Sequence, residues 1–167
     1  MKKLIIFLLM ILPLGVFAQE AKVAIVNSQE IMMAMPEIAA MQETMKQMND
    51  KYAGEMKTME DEFQKKYTDY IAQQDSMTEN IKLRRTQELE DIRQRVENFT
   101  QVAQQDMNKK QQELLAPILD KLRNAIKAVG DEKGYAYIID NNPGIVLYTG
   151  NAAIDATPLV KAKLGLK

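Results

Sequence analysis

The stretch MAMPEIAAMQETMKQMNDKYAGEMKTMEDEF, residues 33–63, contains seven methionines but no leucine or valine. Its apolar residues recur every three or four positions, which is the period of one face of an α-helix. They form three columns with a spacing of eleven residues: Met41, Tyr52 and Phe63; Met45, Met56 and Tyr67; Met48, Met59 and Tyr70. This spacing corresponds to about 3.67 residues per turn and predicts a straight or weakly right-handed coiled coil. The stretch therefore predicts a long helix that pairs with a second helix.

A second segment downstream repeats the same spacing almost without methionine. It follows AQQDSMTEN (residues 72–80), in which Ser76 and Glu79 predict a capping box. Its apolar columns are Ile81, Ile92, Ala103, Leu114 and Ala125, and beside them Val96, Met107, Ile118 and Val129. Pro36 suits the first turn of the first helix, which we expect to run to about Asp75. Two helices with so short a connection predict an antiparallel hairpin, an arm spanning residues 36–129.

Short β-rich segments flank this arm on both sides. KVAIVN (residues 22–27) predicts a strand, with Asn27 and Glu30 as a capping box for a short helix. YAYIID and GIVLY, separated by the turn signal NNPG, predict a β-hairpin within residues 135–148. A last helix has Thr157 as N-cap, Pro158 at its first position and Gly165 at its end.

The fold class that these segments predict is α+β. We expect a long antiparallel α-helical coiled-coil hairpin that projects from a small β-sheet body of residues 22–35 and 130–167. These strands are too few to close a core, so we expect the sheet to be completed between subunits of a homo-oligomer.

The first eighteen residues predict an export signal. Lys2 and Lys3 precede the apolar run Leu4–Leu14, and small residues at Val16 and Ala18 predict cleavage after Ala18. The run is too short for a membrane span. No cysteine follows it to carry a lipid anchor. We therefore expect residues 19–167 to be one exported, soluble domain whose membrane contact is at most peripheral.

The composition excludes several classes of function. The chain has neither histidine nor cysteine, which excludes catalysis by cysteine or by a serine–histidine pair, thiolate zinc sites and disulfides. Without Lys2 and Lys3, 20 basic residues face 23 acidic ones, a net charge of about −3 that does not favour nucleic-acid binding. We find no Gly-rich phosphate loop and expect no catalytic residue, cofactor or metal ion.

The order of these parts resembles the Skp/OmpH-like periplasmic chaperones along the whole mature chain. The resemblance rests on the export signal, KVAIVNSQEIM, the long charged hairpin, GYAYIID and the terminal DATPLVKAKLG. It implies a homotrimer whose sheets form a central body, with the helical arms, or tentacles, around a cavity. It also implies an ATP-independent holdase that binds unfolded outer-membrane proteins. Better-known members are strongly basic, whereas this chain is mildly acidic.

The methionines of the first helix have two compatible interpretations. They fill the seam between the two helices, or the seam is too thin to bury them and they also contact clients, since methionine adapts to irregular apolar partners. Apolar residues outside the columns are further candidates for client contact. The predicted client-binding residues are Met45, Met48, Met56, Met59, Tyr67, Tyr70, Ile71, Leu83, Leu89, Val102 and Leu115.

Three further features leave alternatives open. Gly54 is either a flex point of the first helix or a tolerated glycine. The basic cluster Lys82, Arg84 and Arg85 is followed at once by acidic residues, which favours a solvated helix face over an anion site. The alternative function is a coiled-coil spacer or adaptor of the cell envelope, and an enzyme is a third, weaker hypothesis.

Overall fold

The computed structural model describes residues 22–142 and 146–166, which form a small sheet body with two long projecting helices. The elements are β1 (Val23–Val26), α1 (Ser28–Ala34), α2 (Pro36–Gln73), a 3-10 turn (Gln74–Ser76), α3 (Glu79–Lys133), β2 (Tyr137–Asp140), β3 (Ile154–Asp155) and α4 (Thr157–Lys163). The predicted α+β class and the helical hairpin are therefore confirmed. The predicted export signal and its cleavage site lie outside the described residues.

The two arm helices differ in length because the second belongs partly to the body. At about 1.5 Å per residue, the 38 residues of α2 span about 57 Å and the 55 residues of α3 about 82 Å. Pro36 lies in the first turn of α2, as predicted. α3 continues past Gly130 to Lys133 and is capped by Gly134, whose φ of 65° favours a residue without a Cβ atom. Within the described part of the chain, no helix is long and apolar enough to cross a membrane.

The turn at the tip of the arm differs from the predicted capping box. Thr78 occupies the N-cap position of α3, and its side chain makes no capping hydrogen bond. The Ser76 hydroxyl instead donates a hydrogen bond of 2.8 Å to the carbonyl oxygen of Gln73, at the end of α2. The prediction was wrong because Ser76 lies in the 3-10 turn that follows α2, where it contacts the helix before it.

The sheet is parallel, which contradicts the predicted β-hairpin. β1 is the central strand, with β2 on one side and β3 on the other, and both pairs are parallel. Part of the predicted second hairpin strand lies outside the described residues, but residues 146–150 form no strand. The third strand is Ile154–Asp155, which pairs with Ala24 and Ile25. The chain ends thus meet in one sheet, as expected, but the loop after β2 crosses to the far side of β1 instead of turning back.

The hydrophobic core lies where the base of α3 packs on the sheet and the short helices. It comprises Ala24 and Val26 of β1, Ile31 and Met35 near α1, Ile118, Leu122, Ala125 and Val129 of α3, and Ala156 and Val160 at α4. Several residues of the predicted coiled-coil columns therefore belong to the body rather than to the arm.

Polar contacts connect the two chain ends within the body. The Asp140 carboxylate, at the end of β2, accepts hydrogen bonds from the backbone N–H and the hydroxyl of Ser28, at the start of α1. The Asn27 side chain accepts a hydrogen bond from the Glu30 N–H and so caps α1, as predicted. The second half of the predicted capping box is absent, because the Asn27 N–H donates to the Thr157 hydroxyl over 2.9 Å and the Glu30 carboxylate pairs with Lys161. Thr157 is the first residue of α4 rather than its N-cap.

Candidate functional site

The seam between α2 and α3 is only partly buried. Outside the body core, Ile92 and Ala103 are the buried residues of α3, and α2 has none among the described residues. The column residues of α2 keep intermediate exposure, except Tyr67, which is 45% exposed. Both interpretations of the methionines are compatible with this geometry, because their side chains pack between the helices and still reach solvent.

A tyrosine at mid-arm holds the two helices in register. The Tyr52 hydroxyl donates a hydrogen bond of 3.0 Å to Asp106 Oδ2. Its ring meets the ring of Phe99 edge to face, with centroids 5.7 Å apart. Burial raises the pKa of Tyr52, and the hydrogen bond to Asp106 raises that pKa further. Tyr52 therefore remains a neutral donor at physiological pH.

Ion pairs extend this register in both directions. Toward the tip, Arg95 lies 3.2 Å from Glu62, and Lys66 lies 3.5 Å from Glu88. At the base of the arm, Lys121 of α3 pairs with Glu37 of α2. The Tyr52–Asp106 and Glu62–Arg95 pairs set an antiparallel register that places Met48 within about one turn of Met107, and Met59 within about one turn of Val96.

The candidates outside the columns fall into two groups. Ile71, Leu83 and Val102 are exposed, and Leu83 is the most accessible of them at 72%. Leu89 and Leu115 have intermediate exposure, so part of each side chain is used in packing. Among the candidates of the columns, Met45, Met48, Met56, Met59 and Tyr70 are half-buried and Tyr67 is exposed. The structure thus distributes the candidates along the arm rather than in one pocket.

Two shallow grooves follow the seam, and sequence reasoning did not identify the first. It lies at the base of the arm, has a volume of about 360 Å³ and is lined by Met41, Leu114, Pro117 and Ile118, with Glu37 at its edge. Pro117 was the available signal, because a proline inside a helix removes a backbone hydrogen bond and disturbs the local packing. The second groove, of similar volume, lies further toward the tip beside Phe63 and Val96.

The basic cluster near the tip is paired with acidic side chains. Lys82 lies 3.0 Å from Glu79, while Arg85 and Arg84 lie 2.9 Å and 4.0 Å from Glu88. The hydrogen bond from Arg85 lowers the pKa of Glu88, so this carboxylate stays ionised. These pairs favour the solvated-face interpretation. Among the described residues, no group of three acidic side chains is arranged to hold a metal ion.

A second apolar surface lies on the sheet, on the side away from the core. The paired residues Val23 and Tyr137 are both exposed there, and so is Ile139, which pairs with Ile25. Paired residues of adjacent strands point to the same face of a sheet, so these side chains form one continuous surface. Leu147 and Tyr148, in the loop after β2, are also almost fully exposed.

Residues 22–164 match the model of the family described as "Outer membrane protein (OmpH-like)". The chain belongs to the OmpH-like family. It is 31% identical over 134 residues to the chaperone protein Skp of Pectobacterium atrosepticum, covering 78% of each chain. It is 33% identical over 130 residues to Skp of Yersinia enterocolitica, covering 74% of this chain and 76% of that protein.

The fold of this OmpH-like chain also matches a solved relative. It superposes on the crystal structure of an OmpH-like protein from Caulobacter crescentus CB15 with a TM-score of 0.73. The match covers 85% of this chain and 82% of the relative, at 16% identity, and so shows the shared fold alone. The resemblance noted from the sequence is confirmed, and the family is one of chaperones rather than enzymes.

Proposed function

We propose that this protein is an ATP-independent periplasmic holdase that binds unfolded outer-membrane proteins between its arms and prevents their aggregation. The observation that carries the proposal is the half-buried seam of an OmpH-like arm, which offers apolar side chains along most of its length. Many weak apolar contacts on an extended surface suit a chaperone that must accept unrelated unfolded sequences.

Client binding here is mainly apolar rather than electrostatic. The chain without its signal carries a net charge of about −3, and the one compact basic cluster of the arm tip is paired with Glu79 and Glu88. Interactions between exposed charges are screened over about 8 Å at physiological ionic strength. Affinity for a neutral client should therefore depend only weakly on salt.

The working form that we propose is a homotrimer assembled through the sheets. The apolar face around Tyr137 and Ile139 supports this proposal, because a second subunit packed on it would remove these side chains from water. The body that results would hold three arms around a common cavity. The exported form would begin at Gln19, after removal of the signal, with residues 19–167 as one domain.

A dilution assay separates the holdase from the alternative, a spacer or adaptor of the envelope. A denatured outer-membrane β-barrel protein is diluted into buffer with and without the chaperone, and light scattering reports its aggregation. A holdase that is added in stoichiometric amounts, without ATP, suppresses the scattering. A protein that acts only as a spacer leaves the scattering unchanged, and that result would refute the proposal.

Matched variants locate the binding surface. Replacing Ile71, Leu83 and Val102 together with serine removes three exposed apolar side chains and should weaken client affinity about tenfold, since each loses roughly 0.5 kcal/mol of apolar contact. The control places serine at Gln64 of α2 and at Gln94 and Gln101 of α3, which are exposed and divide between the two helices as the three apolar residues do. The chain has no tryptophan, so a tryptophan-containing client can be titrated by fluorescence at low and high salt. Equal client affinities of the two variants, or a steep fall of client affinity with rising salt, would contradict the proposal that clients bind to an apolar surface of the arm.

A further inference from the structure

The oxidisable sulfur atoms of the seam are concentrated on one of its two helices. Five methionines of α2 lie in the seam, whereas the buried positions of α3 are aliphatic and Met107 is the methionine on that helix. All five keep intermediate exposure: Met41, Met45, Met48, Met56 and Met59. Part of each of these side chains therefore remains in contact with solvent in the folded protein.

We propose that this row of five methionines, the α2 methionine row, is a site of reversible oxidation that loosens the arm. The oxidant is a two-electron oxygen donor such as hydrogen peroxide or hypochlorous acid. The sulfur lone pair takes one oxygen atom and forms the sulfoxide, while peroxide is reduced to water, or hypochlorous acid to chloride and a proton. Each reaction turns a flexible apolar side chain into a polar one.

The register shows why the oxygen atoms would weaken the arm. The Tyr52–Asp106 and Glu62–Arg95 pairs place Met48 within about one turn of Met107, and Met59 within about one turn of Val96. A sulfoxide at either position would therefore bring an oxygen atom next to the apolar column of α3. Outside the body core, the described arm has only Ile92 and Ala103 as buried residues, so it has little other packing to compensate. Burying a sulfoxide without a hydrogen-bond partner is unfavourable, and the helices would separate to solvate it.

Two methionines outside the arm provide internal controls. Met33, on α1, is 71% exposed and contributes little packing, so its oxidation should be fast and without structural effect. Met35, only 2% exposed in the body core, should be protected as long as the body stays folded. The α2 methionine row lies between these two in exposure, and we expect an intermediate rate of oxidation for it.

The functional consequence rests on the holdase activity proposed above. The row supplies part of the apolar arm surface, so its sulfoxides should lower the affinity for clients. Methionine sulfoxide reductases of both stereochemical classes would restore the thioethers and, with them, the packing and the affinity. The arm would then respond reversibly to oxidants in its surroundings.

Peptide mapping by mass spectrometry tests the chemistry on the full mature chain. During graded treatment with hydrogen peroxide we expect oxidation first at Met33, then in the α2 methionine row, and last at Met35. When the row is oxidised, proteolysis within residues 37–129 should accelerate about tenfold or more, because the arm opens more often. Treatment with the reductases should reverse this change. A row that forms sulfoxides while the arm keeps its original protection would overturn the proposal.

A leucine variant provides the matched control. Leucine has nearly the volume of methionine and cannot be oxidised. In a variant with leucine in place of all five methionines of the row, peroxide treatment should therefore change neither the protease protection of the arm nor the client affinity, each compared with the same variant before treatment. The Met33→Leu variant should respond to peroxide as the unaltered protein does. If the five-leucine variant loses arm protection to the same extent, the row is not the responsive site. If the reduced protein never suppresses aggregation, the holdase proposal fails, while the results of mapping and proteolysis still decide the oxidation site.

Discussion

Ile92 and Ile81 are the same residue type in the same eleven-residue column, yet their environments differ. Ile92 is buried between the helices, whereas Ile81 is 43% exposed near the tip. The column predicted that both face α2, but Ile92 is almost fully buried whereas Ile81, close to the turn at the tip, keeps much of its surface in contact with water. The difference makes the pair a direct measure of how much the seam contributes to stability.

The Ile92→Ala variant should therefore destabilise the arm by about 2–5 kcal/mol, because it leaves a cavity in the seam. The Ile81→Ala variant should cost less than about 1 kcal/mol, since its side chain is already partly hydrated. Urea unfolding of the helical signal in circular dichroism measures both values. Similar losses for the two variants would mean that the seam is not the principal source of arm stability.

Glu37 makes the base of the arm sensitive to acid. The hydrogen bond from Lys121 lowers the pKa of Glu37, and one carboxylate oxygen, Oε2, is buried without a hydrogen-bond partner among the described residues. A pKa that is lower in the folded state stabilises the protein above the unfolded pKa of glutamate, about 4.3, and this contribution is lost as the pH falls through the folded value.

Replacing Glu37 with glutamine should lower the stability at pH 7 and reduce the loss of stability under acid. The Glu43→Gln variant is the control, because the Glu43 carboxylate accepts its hydrogen bond from Gln47, within the same helix. Thermal unfolding between pH 7 and pH 3 compares the variants. If the stability of the Glu37→Gln variant falls with pH in the same way as that of the unaltered chain, the ion pair with Lys121 does not contribute to the acid sensitivity of the arm.

At the scale of the element, α2 is a long helix with a glycine near its middle. A Cβ atom built on Gly54 would meet nothing within 4 Å, and the backbone there is helical. No contact therefore requires glycine at this position. Its effect is on the helix itself, since glycine costs about 1 kcal/mol relative to alanine in a helix interior.

The Gly54→Ala variant should stabilise α2 by about 0.5–1 kcal/mol. Ala53, the exposed neighbour of Gly54, provides the control, because the Ala53→Gly variant should destabilise α2 by a similar amount. Hydrogen exchange of the α2 amides measures the change. If Gly54 is a flex point, the alanine variant should also bind large clients less well than small ones, whereas an unchanged client range would identify it as a tolerated glycine.

At the scale of the whole molecule, the uncovered sheet face is the surface through which we propose that the subunits assemble. Light scattering of the mature chain should report a trimer at micromolar concentration. Placing lysine at Tyr137, which is 68% exposed, should dissociate the trimer, because the charge would be buried at the interface. The Leu83→Ser variant at the arm tip should remain trimeric. A stable monomer of the unaltered chain would refute assembly through this face.

The helical periods of the sequence predicted the arm well because one long amphipathic pattern dominates each helix. The sheet was harder to predict, since β-rich character indicates a strand but not its partner. Val146 and Tyr148 were expected in a hairpin, yet β2 pairs with β1 in parallel and the loop residue Tyr148 is exposed. The client-binding residues stay a prediction, because helical spacing cannot show which side of an arm faces a cavity.

The position of β1 at the centre of the sheet also determines when the body can fold. Both neighbours of β1 come from beyond the arm, and Asn27 bonds to Thr157, 130 residues later in the chain. Such long-range contacts form slowly, whereas the two helices of a hairpin can pair from local contacts. A chain that crosses a membrane from its N-terminus would therefore fold its arm first and close its sheet only after almost the whole polypeptide has emerged. If the chain is exported and assembles as proposed, assembly would thereby be restricted to chains whose translocation is nearly finished.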